Sequence, residues 1–180
     1  AKYHHVKKTR YKGQLVYLIT FETQALRFHD RESIYCDVKS FLPVRIERKV
    51  SQFIKPEKIT EVYDQENFTL NITKRRFTTE HIEIKKDAPI NNSILLPYFV
   101  RNKPDLQVGW SFEANLPQRK YKITLKSIET VKLPSGEFQA YYFESEPRAI
   151  KIWISTDQAR IPLKLEGAGG FGYKLLMREY

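Results

Sequence analysis

The feature that most constrains the fold is a strict alternation of apolar and polar residues in several short segments. It is clearest in residues 42–47, 68–73 and 121–126. A period of two places successive side chains on opposite faces of an extended chain, so each segment is predicted to be a half-buried β-strand. Turn signals such as KPEK and LPSGE separate these segments at spacings typical of hairpins. The sequence therefore predicts an all-β protein made of antiparallel strands.

Three further segments carry apolar residues on both faces of the predicted strand. They are LVYLITF at residues 15–21, AYYF at residues 140–143 and IKIWIS at residues 150–155. One side of such a sheet faces the core, and the other side needs a second cover. A helix, a crossing segment of the same chain or a bound apolar ligand would each supply that cover.

One short helix is predicted, at residues 94–101. Asn and Ser residues just before it can cap its N-terminus, and Pro97 fits if it lies in the first turn. We expect a single domain over residues 1–180 with frayed first residues. Its fold is predicted to be a strongly curved antiparallel sheet or incomplete β-barrel of about ten strands. The helix would lie over or within the concave side, so that the inner surface lines an apolar cavity.

Residues 167–172 read GAGGFG and match the G-x-G-x-x-G pattern of dinucleotide-binding turns. That function requires the turn to open a helix whose N-terminal amides face the phosphates. The segment after the glycines, YKLLMREY, instead alternates as a strand does. The glycines are therefore interpreted as the bend between the last two strands, where positive φ or a bulge is needed. This interpretation covers Gly167, Gly169, Gly170 and Gly172.

Charge and cysteine content narrow the classes of ligand and cofactor. The sequence has 31 Lys and Arg against 21 Asp and Glu, for a net charge of +10, which favours anionic partners. Its single cysteine, Cys36, provides neither an intramolecular disulfide nor a cysteine-based metal cluster. No apolar run approaches the roughly 18 residues of a membrane span. We predict no cofactor, no metal and no transmembrane span in this chain.

The sequence gives no recognisable catalytic constellation. A nucleophile, a base and an orienting group must lie in reach of one another, and none of the histidines has evident partners. These histidines are His4, His5, His29 and His81. Pairs of carboxylates occur, as they do in any chain with 21 acidic residues, and solvated surface positions account for them. We therefore predict that the protein is not an enzyme.

Basic stretches such as KRRF and QRKYK interleave positive charge with aromatic residues. Grooves that bind single-stranded nucleic acid have this composition. The charge is nevertheless spread over the whole chain, and a strand with Lys outward and Tyr inward has the same alternation. We therefore rank a basic nucleic-acid-binding β domain last among the candidate functions of this protein.

The C-terminal half contains a spaced set of residues that is typical of a known family: Glu129, Pro134, Gly136, Phe138, Trp153, Ser155, Asp157, Arg160 and Pro162. The segments ILLPYFVRN and LQVGWSF lie upstream of this set. In these residues the chain resembles a bacterial family, domain of unknown function 3108. The resemblance implies a periplasmic or secreted location, usually behind a signal peptide that is then removed. It also implies a mainly antiparallel β fold similar to the curved sheets of lipoprotein carriers, with no established catalytic residues. Within the motif, Asp157 and Arg160 are predicted to set the geometry of a turn.

The predicted function is a non-enzymatic protein of the cell envelope that binds an apolar or amphipathic molecule, such as a lipid or acyl chain, in a β-barrel-like cavity. The predicted lining residues are Leu95, Leu96, Tyr98, Phe99, Trp110 and Trp153. Trp153 is the weaker choice, because alternation places it on the face of Lys151. Arg101 and Lys103 are predicted to attract an anionic head group at the mouth. A core filled by side chains is the competing interpretation of the aromatic residues. The alternative function is an envelope protein-interaction or scaffold module without a small ligand.

Overall fold

The computed structural model of the chain describes residues 2–25, 28–52, 56–167 and 173–176. By residue, strands account for 65% of the structure and helices for 6%. The chain divides into two compact units, residues 1–92 and residues 93–180. Each unit is built on one antiparallel sheet, so the predicted all-β class is confirmed. The single domain expected over residues 1–180 stays a prediction, and the two units are described separately.

The first unit is a sheet of seven strands in which each strand pairs with its neighbour along the chain. The strands are β1 (Lys2–Tyr11), β2 (Gln14–Ala25), β3 (Phe28–Asp37), β4 (Pro43–Gln52), β5 (Glu57–Asp64), β6 (Thr69–Arg75) and β7 (Thr79–Lys85). β1 begins at Lys2, which pairs with Glu22 of β2. Each strand therefore pairs antiparallel with the next along the chain, which is the arrangement expected of successive hairpins.

The two faces of the seven-stranded sheet differ in polarity. Ile19, Ile34 and Ile46 lie directly opposite one another across β2, β3 and β4, and all three are fully or almost fully buried. Because side chains alternate, the residues between them point to the other face, where charged side chains such as Arg31 and Lys49 are exposed. We call these the apolar face and the polar face of the sheet.

The second unit contains the helical segment and a sheet of six strands. A 3₁₀ turn (Ser93–Leu95) leads into the helix α1 (Leu96–Arg101). The strands are β8 (Ser111–Asn115), β9 (Lys120–Leu133), β10 (Gly136–Glu146), β11 (Ile150–Ser155), β12 (Pro162–Gly167) and β13 (Tyr173–Leu176). They again pair in chain order, from β8 at one edge to β13 at the other. The short helix predicted at residues 94–101 is confirmed, with Pro97 in its first turn.

The six-stranded sheet buries side chains on both faces, which accounts for the apolar pattern of AYYF and IKIWIS. Phe143 and Ile152 lie opposite each other on one face and are fully buried. On the other face, Trp153 belongs to a smaller buried cluster with Val131, Ala140 and Leu163. We call these the Phe143 face and the Trp153 face. Side chains of the unit itself supply the second cover on the Trp153 face.

The described strands number thirteen and form two sheets, where we expected about ten strands in one sheet. Alternation marks where strands are, but it does not say where the pairing of one sheet stops. Here the pairing stops after β7, and the 3₁₀ turn, the helix and the loop that follows them come between β7 and β8 in the sequence.

The glycine-rich segment lies between the last two strands in the sequence, and its role as their bend stays a prediction. Gly167 is the final residue of β12 and pairs with Tyr173, the first residue of β13. Gly169, Gly170 and Gly172 lie outside the described residues.

Candidate functional site

The helical segment places three of the predicted lining residues in the interior. Leu95 and Leu96 are each 1% exposed and Tyr98 is 8% exposed. Leu96 and Tyr98 lie in α1, which packs against β11 and β12. These three side chains therefore anchor the helix to the unit and do not face solvent.

Phe99 and Trp110, the next two predicted residues, lie together in a half-buried group of aromatic rings. The Phe99 ring centroid is 5.0 Å from that of Phe112, which is in turn 5.4 Å from that of Trp110. Trp110 also meets the buried Phe143 edge to face at 6.3 Å, so the group lies on the Phe143 face of the sheet. We call Phe99, Trp110 and Phe112 the aromatic patch. Phe112 was not predicted, because its strand is only five residues long and its alternation is correspondingly weak.

Cationic side chains surround the end of α1 next to the aromatic patch. The Lys103 ammonium lies 4.1 Å from the centroid of the Phe99 ring, close enough for a cation–π interaction. Arg101 donates from Nη2 to the carbonyl of Ala159 at 3.0 Å. Arg160 donates from Nη1 to the carbonyl of Lys103, and at 3.4 Å to that of Arg101. The two predicted head-group residues therefore lie at one edge of the patch, together with Arg160.

The turn between β11 and β12 holds these cations in place. Asp157 Oδ1 accepts hydrogen bonds from the backbone amides of Ala159 at 2.9 Å and Arg160 at 3.1 Å, which is an Asx-turn. The side chain of Arg160 does not pair with that of Asp157. It reaches the carbonyls after α1 instead, so the turn motif fastens the helix to the β11–β12 hairpin.

Trp153 is not part of the aromatic patch. It is 5% exposed and lies on the other face of the sheet, stacked on Tyr142 at 4.8 Å between centroids. Its indole Nε1 donates to Glu129 Oε1 at 2.6 Å, and the Lys164 ammonium lies 3.8 Å from its ring centroid. Every side of the indole thus has a partner within the protein, and Trp153 has the contacts of a structural residue.

The apolar face of the first unit holds a charged cluster that the sequence analysis missed. Arg48 lies directly opposite Glu32 across β3 and β4, with Nε 3.3 Å from Oε1, and it is also paired with Asp30. Asp30 and Glu32 are 4% and 8% exposed. On the next strand, Tyr63 donates to Glu61 Oε2 at 2.5 Å. We call Asp30, Glu32, Arg48 and Glu61 the buried charged cluster.

Burial dominates the electrostatics of this cluster. Desolvation raises the pKa of the Glu32 carboxyl from its ordinary 4.5 to about 7, with Asp30 and Glu61 adding to the rise and Arg48 opposing it. Asp30 Oδ1 is buried without a hydrogen-bond partner. The sequence does contain one indication of this cluster. Residues 30 and 32 lie four and two positions before Ile34, so alternation places their side chains on the same inward face as Ile34. The cluster can hold or release a proton near neutral pH.

The histidines and acidic residues do not converge on a metal site in the described part of the chain. His29 is 2.6 Å from a Glu22 carboxylate oxygen, and His81 is 3.2 Å from the Thr73 hydroxyl. No group of three or more His, Cys, Asp or Glu residues in that part is arranged to hold a metal ion. The side chains of His4 and His5 lie outside the description.

The fold and the site together define an all-β protein of two antiparallel sheets that bears an aromatic and cationic patch beside its one short helix. The family described as "Protein of unknown function (DUF3108)" matches residues 3–178, and the chain belongs to this family. The resemblance, clear from about residue 90, thus extends over nearly the whole sequence. No curated protein and no solved structure matches the chain.

Among the described residues, α1 and the 3₁₀ turn are the helical elements, and neither is long and apolar enough to span a membrane.

Proposed function

We propose that this protein binds an amphipathic molecule with an apolar chain and an anionic head group, without transforming it chemically. The observation that supports this function is the aromatic patch with its adjacent cations. Phe99, Trp110 and Phe112 offer apolar ring surface at the protein exterior, and Lys103 and Arg101 lie at its edge. Ligand sites commonly combine mostly apolar surface with a small number of placed polar groups.

The arrangement separates the two ends of such a ligand. The aromatic rings would cover the apolar chain, since half-buried rings gain by losing their remaining contact with water. The Lys103 ammonium is held beside a ring, which leaves it able to pair with a phosphate or carboxylate. The net charge of +10 would favour the approach of an anionic head group from solution.

We further propose that the protein acts in the cell envelope, in the periplasm or as a secreted protein. The support is the resemblance of its sequence to a family whose members usually carry a signal peptide. A lipid or other amphiphile is then the expected class of partner.

A second candidate function is an envelope protein-interaction module without a small ligand. It is favoured by apolar side chains exposed at one edge of the first unit. Val6 is 46% exposed on β1, the edge strand, and Leu15 is 45% exposed on β2 beside it. An edge strand with exposed apolar residues is suited to pairing with another chain.

The first test is native mass spectrometry of protein purified from its own host, followed by organic extraction of anything bound. We expect a stoichiometric amphiphile in the wild type. Phe99→Ala and Trp110→Ala should each abolish it while leaving the circular dichroism spectrum unchanged. The matched control is Phe138→Ala, which truncates a half-buried phenylalanine on the opposite face of the same sheet and should leave binding intact.

Uptake of an added probe completes the test. A single-chain phospholipid with an anionic head group, added below its micelle concentration, should bind to wild type, and Lys103→Gln should weaken its binding. A protein that carries nothing and takes up no probe would refute the proposed function and favour the interaction module. Equal losses in Phe138→Ala and Phe99→Ala would also refute the assignment to the aromatic patch.

A further inference from the structure

Four cationic side chains lie side by side across the polar face of the seven-stranded sheet. The register places Arg31 opposite Lys49, Lys49 opposite Lys58, and Lys58 opposite Arg75. All four residues are exposed. Adjacent strands are about 4.8 Å apart, so the row spans roughly 14 Å. We call these four residues the cationic row.

Repulsion between the four positive charges of the cationic row destabilises the sheet, and the fold does not require cations at these positions. Like charges placed directly opposite each other destabilise a strand pair, and a carboxylate at one inner position would remove that repulsion. Within the described part of the chain, none of the four cations forms a salt bridge. Two carboxylates adjoin the row, and each is bound elsewhere: Glu22, opposite Arg31 on β2, lies 2.6 Å from His29 Nε2, and Glu47, in the next row, is bound by Arg45 at 2.8 Å. The positive charge of the row therefore remains available to an external anion.

The row ends at a turn that exposes a phenylalanine. Arg75 is the last residue of β6, and the β6–β7 turn follows it directly. Within this turn Phe77 is 72% exposed, and the Arg76 guanidinium lies 5.6 Å from its ring centroid. The row and the exposed ring thus lie at the same end of the sheet.

We propose that this end of the seven-stranded sheet docks on the surface of a lipid bilayer that contains anionic lipids. The row crosses the strands, so its members lie at the same height along the sheet and can meet a planar surface together. Phe77 projects from the adjoining turn, where it can enter the interfacial region while Arg76 stays with the head groups. Clusters of four or more Lys and Arg residues are attracted to anionic lipid surfaces.

Single-stranded nucleic acid fits this surface less well. Such sites place aromatic rings between the cations, so that bases stack while phosphates are neutralised. Here the next positions of the polar face alongside Lys49, Lys58 and Arg75 are Glu47, Thr60 and Thr73. The exposed ring lies beyond the row, in the turn, and not beside it.

The test is co-sedimentation of the purified protein with vesicles of phosphatidylcholine containing about 30% phosphatidylglycerol, against vesicles of phosphatidylcholine alone. The row variant is Lys49→Gln, Lys58→Gln and Arg75→Gln combined. Its matched control is Lys122→Gln, Lys126→Gln and Lys132→Gln combined, which removes the same charge from exposed positions of β9. Each cation near the surface contributes about fivefold to binding, so the row variant should bind roughly a hundredfold more weakly.

Phe77→Ala should weaken vesicle binding several-fold without changing its salt dependence, because it removes an apolar contact and no charge. Raising the salt from about 0.1 M to about 1 M should release the wild type. Equal weakening in the row variant and its control would overturn the proposal, since charge alone would then explain the binding. Absence of vesicle binding, together with oligonucleotide binding that the row variant abolishes, would also overturn it and would assign the row to nucleic acid.

Discussion

Replacing Glu32 by Gln is expected to stabilise the protein above neutral pH. The carboxylate of Glu32 lies almost fully buried on the apolar face, and its charged form is costly there in spite of Arg48. The glutamine amide has a similar shape and carries no charge. Arg48 keeps Asp30 as a partner in the variant.

The sign and size of the effect follow from the raised pKa of Glu32. Folding raises this pKa from 4.5 to about 7. Between pH 4.5 and about pH 7, the carboxyl is therefore protonated in the native state and ionised in the unfolded state. The corresponding stability is fully present below pH 4.5 and is lost as the pH rises through about 7. At about 1.4 kcal/mol per pH unit, the loss amounts to ~3 kcal/mol.

Urea unfolding followed by circular dichroism, at about pH 5 and about pH 8, measures this difference. The free energy of unfolding of Glu32→Gln should be close to that of the wild type at the lower pH and higher by up to ~3 kcal/mol at the higher pH. Glu83→Gln, at an exposed position of β7 in the same sheet, should show no such pH-dependent gain. A gain from Glu32→Gln that is the same at both pH values, or a loss at pH 8, would refute the argument.

Three further changes test other parts of the structure. Arg48→Met should destabilise the protein by about 3 kcal/mol at pH 8 in urea unfolding, because Asp30 and Glu32 lose their cation, and by less at pH 5; an equal cost at both pH values would contradict the coupling to Glu32. Asp157→Ala should cost about 1–2 kcal/mol in the same assay, because two backbone amides lose their acceptor, while Asp157→Asn retains most of the turn. Burial raises the pKa of the Cys36 thiol to about 12, so a thiol reagent should label it only after unfolding; rapid labelling of the native protein would show that β3 opens.

The sequence was sufficient for the local structure. Alternation at residues 42–47 and 121–126 identified parts of β4 and β9, and the position of Pro97 placed the start of the helix. Each of these patterns depends on side chains a few residues apart. Strand pairing joins residues at larger separations, so the division into two sheets could not be derived from such patterns.

The candidate site was predicted in part, for the same reason. Phe99, Trp110 and Lys103 are close in the sequence and meet in the fold. Trp153 is distant in the sequence, and alternation already placed it on the other face. The buried charged cluster was missed because charged residues are expected to face solvent, even though Glu32 has the same parity in the sequence as the inward-facing Ile34. The strand register is needed to show that Arg48 lies opposite Glu32.

Pairing in chain order has a consequence for how the protein folds. In both sheets each described strand pairs with strands adjacent to it in sequence, so every hairpin closes only a short loop. Short loops cost little chain entropy, and proteins with mostly local contacts fold faster than β-sandwiches with long crossovers. Each hairpin of residues 1–92 can form as soon as its second strand leaves the ribosome, and each new strand then covers the exposed edge of the one before it. The sheet can therefore grow in the direction of synthesis, without waiting for the C-terminal half of the chain.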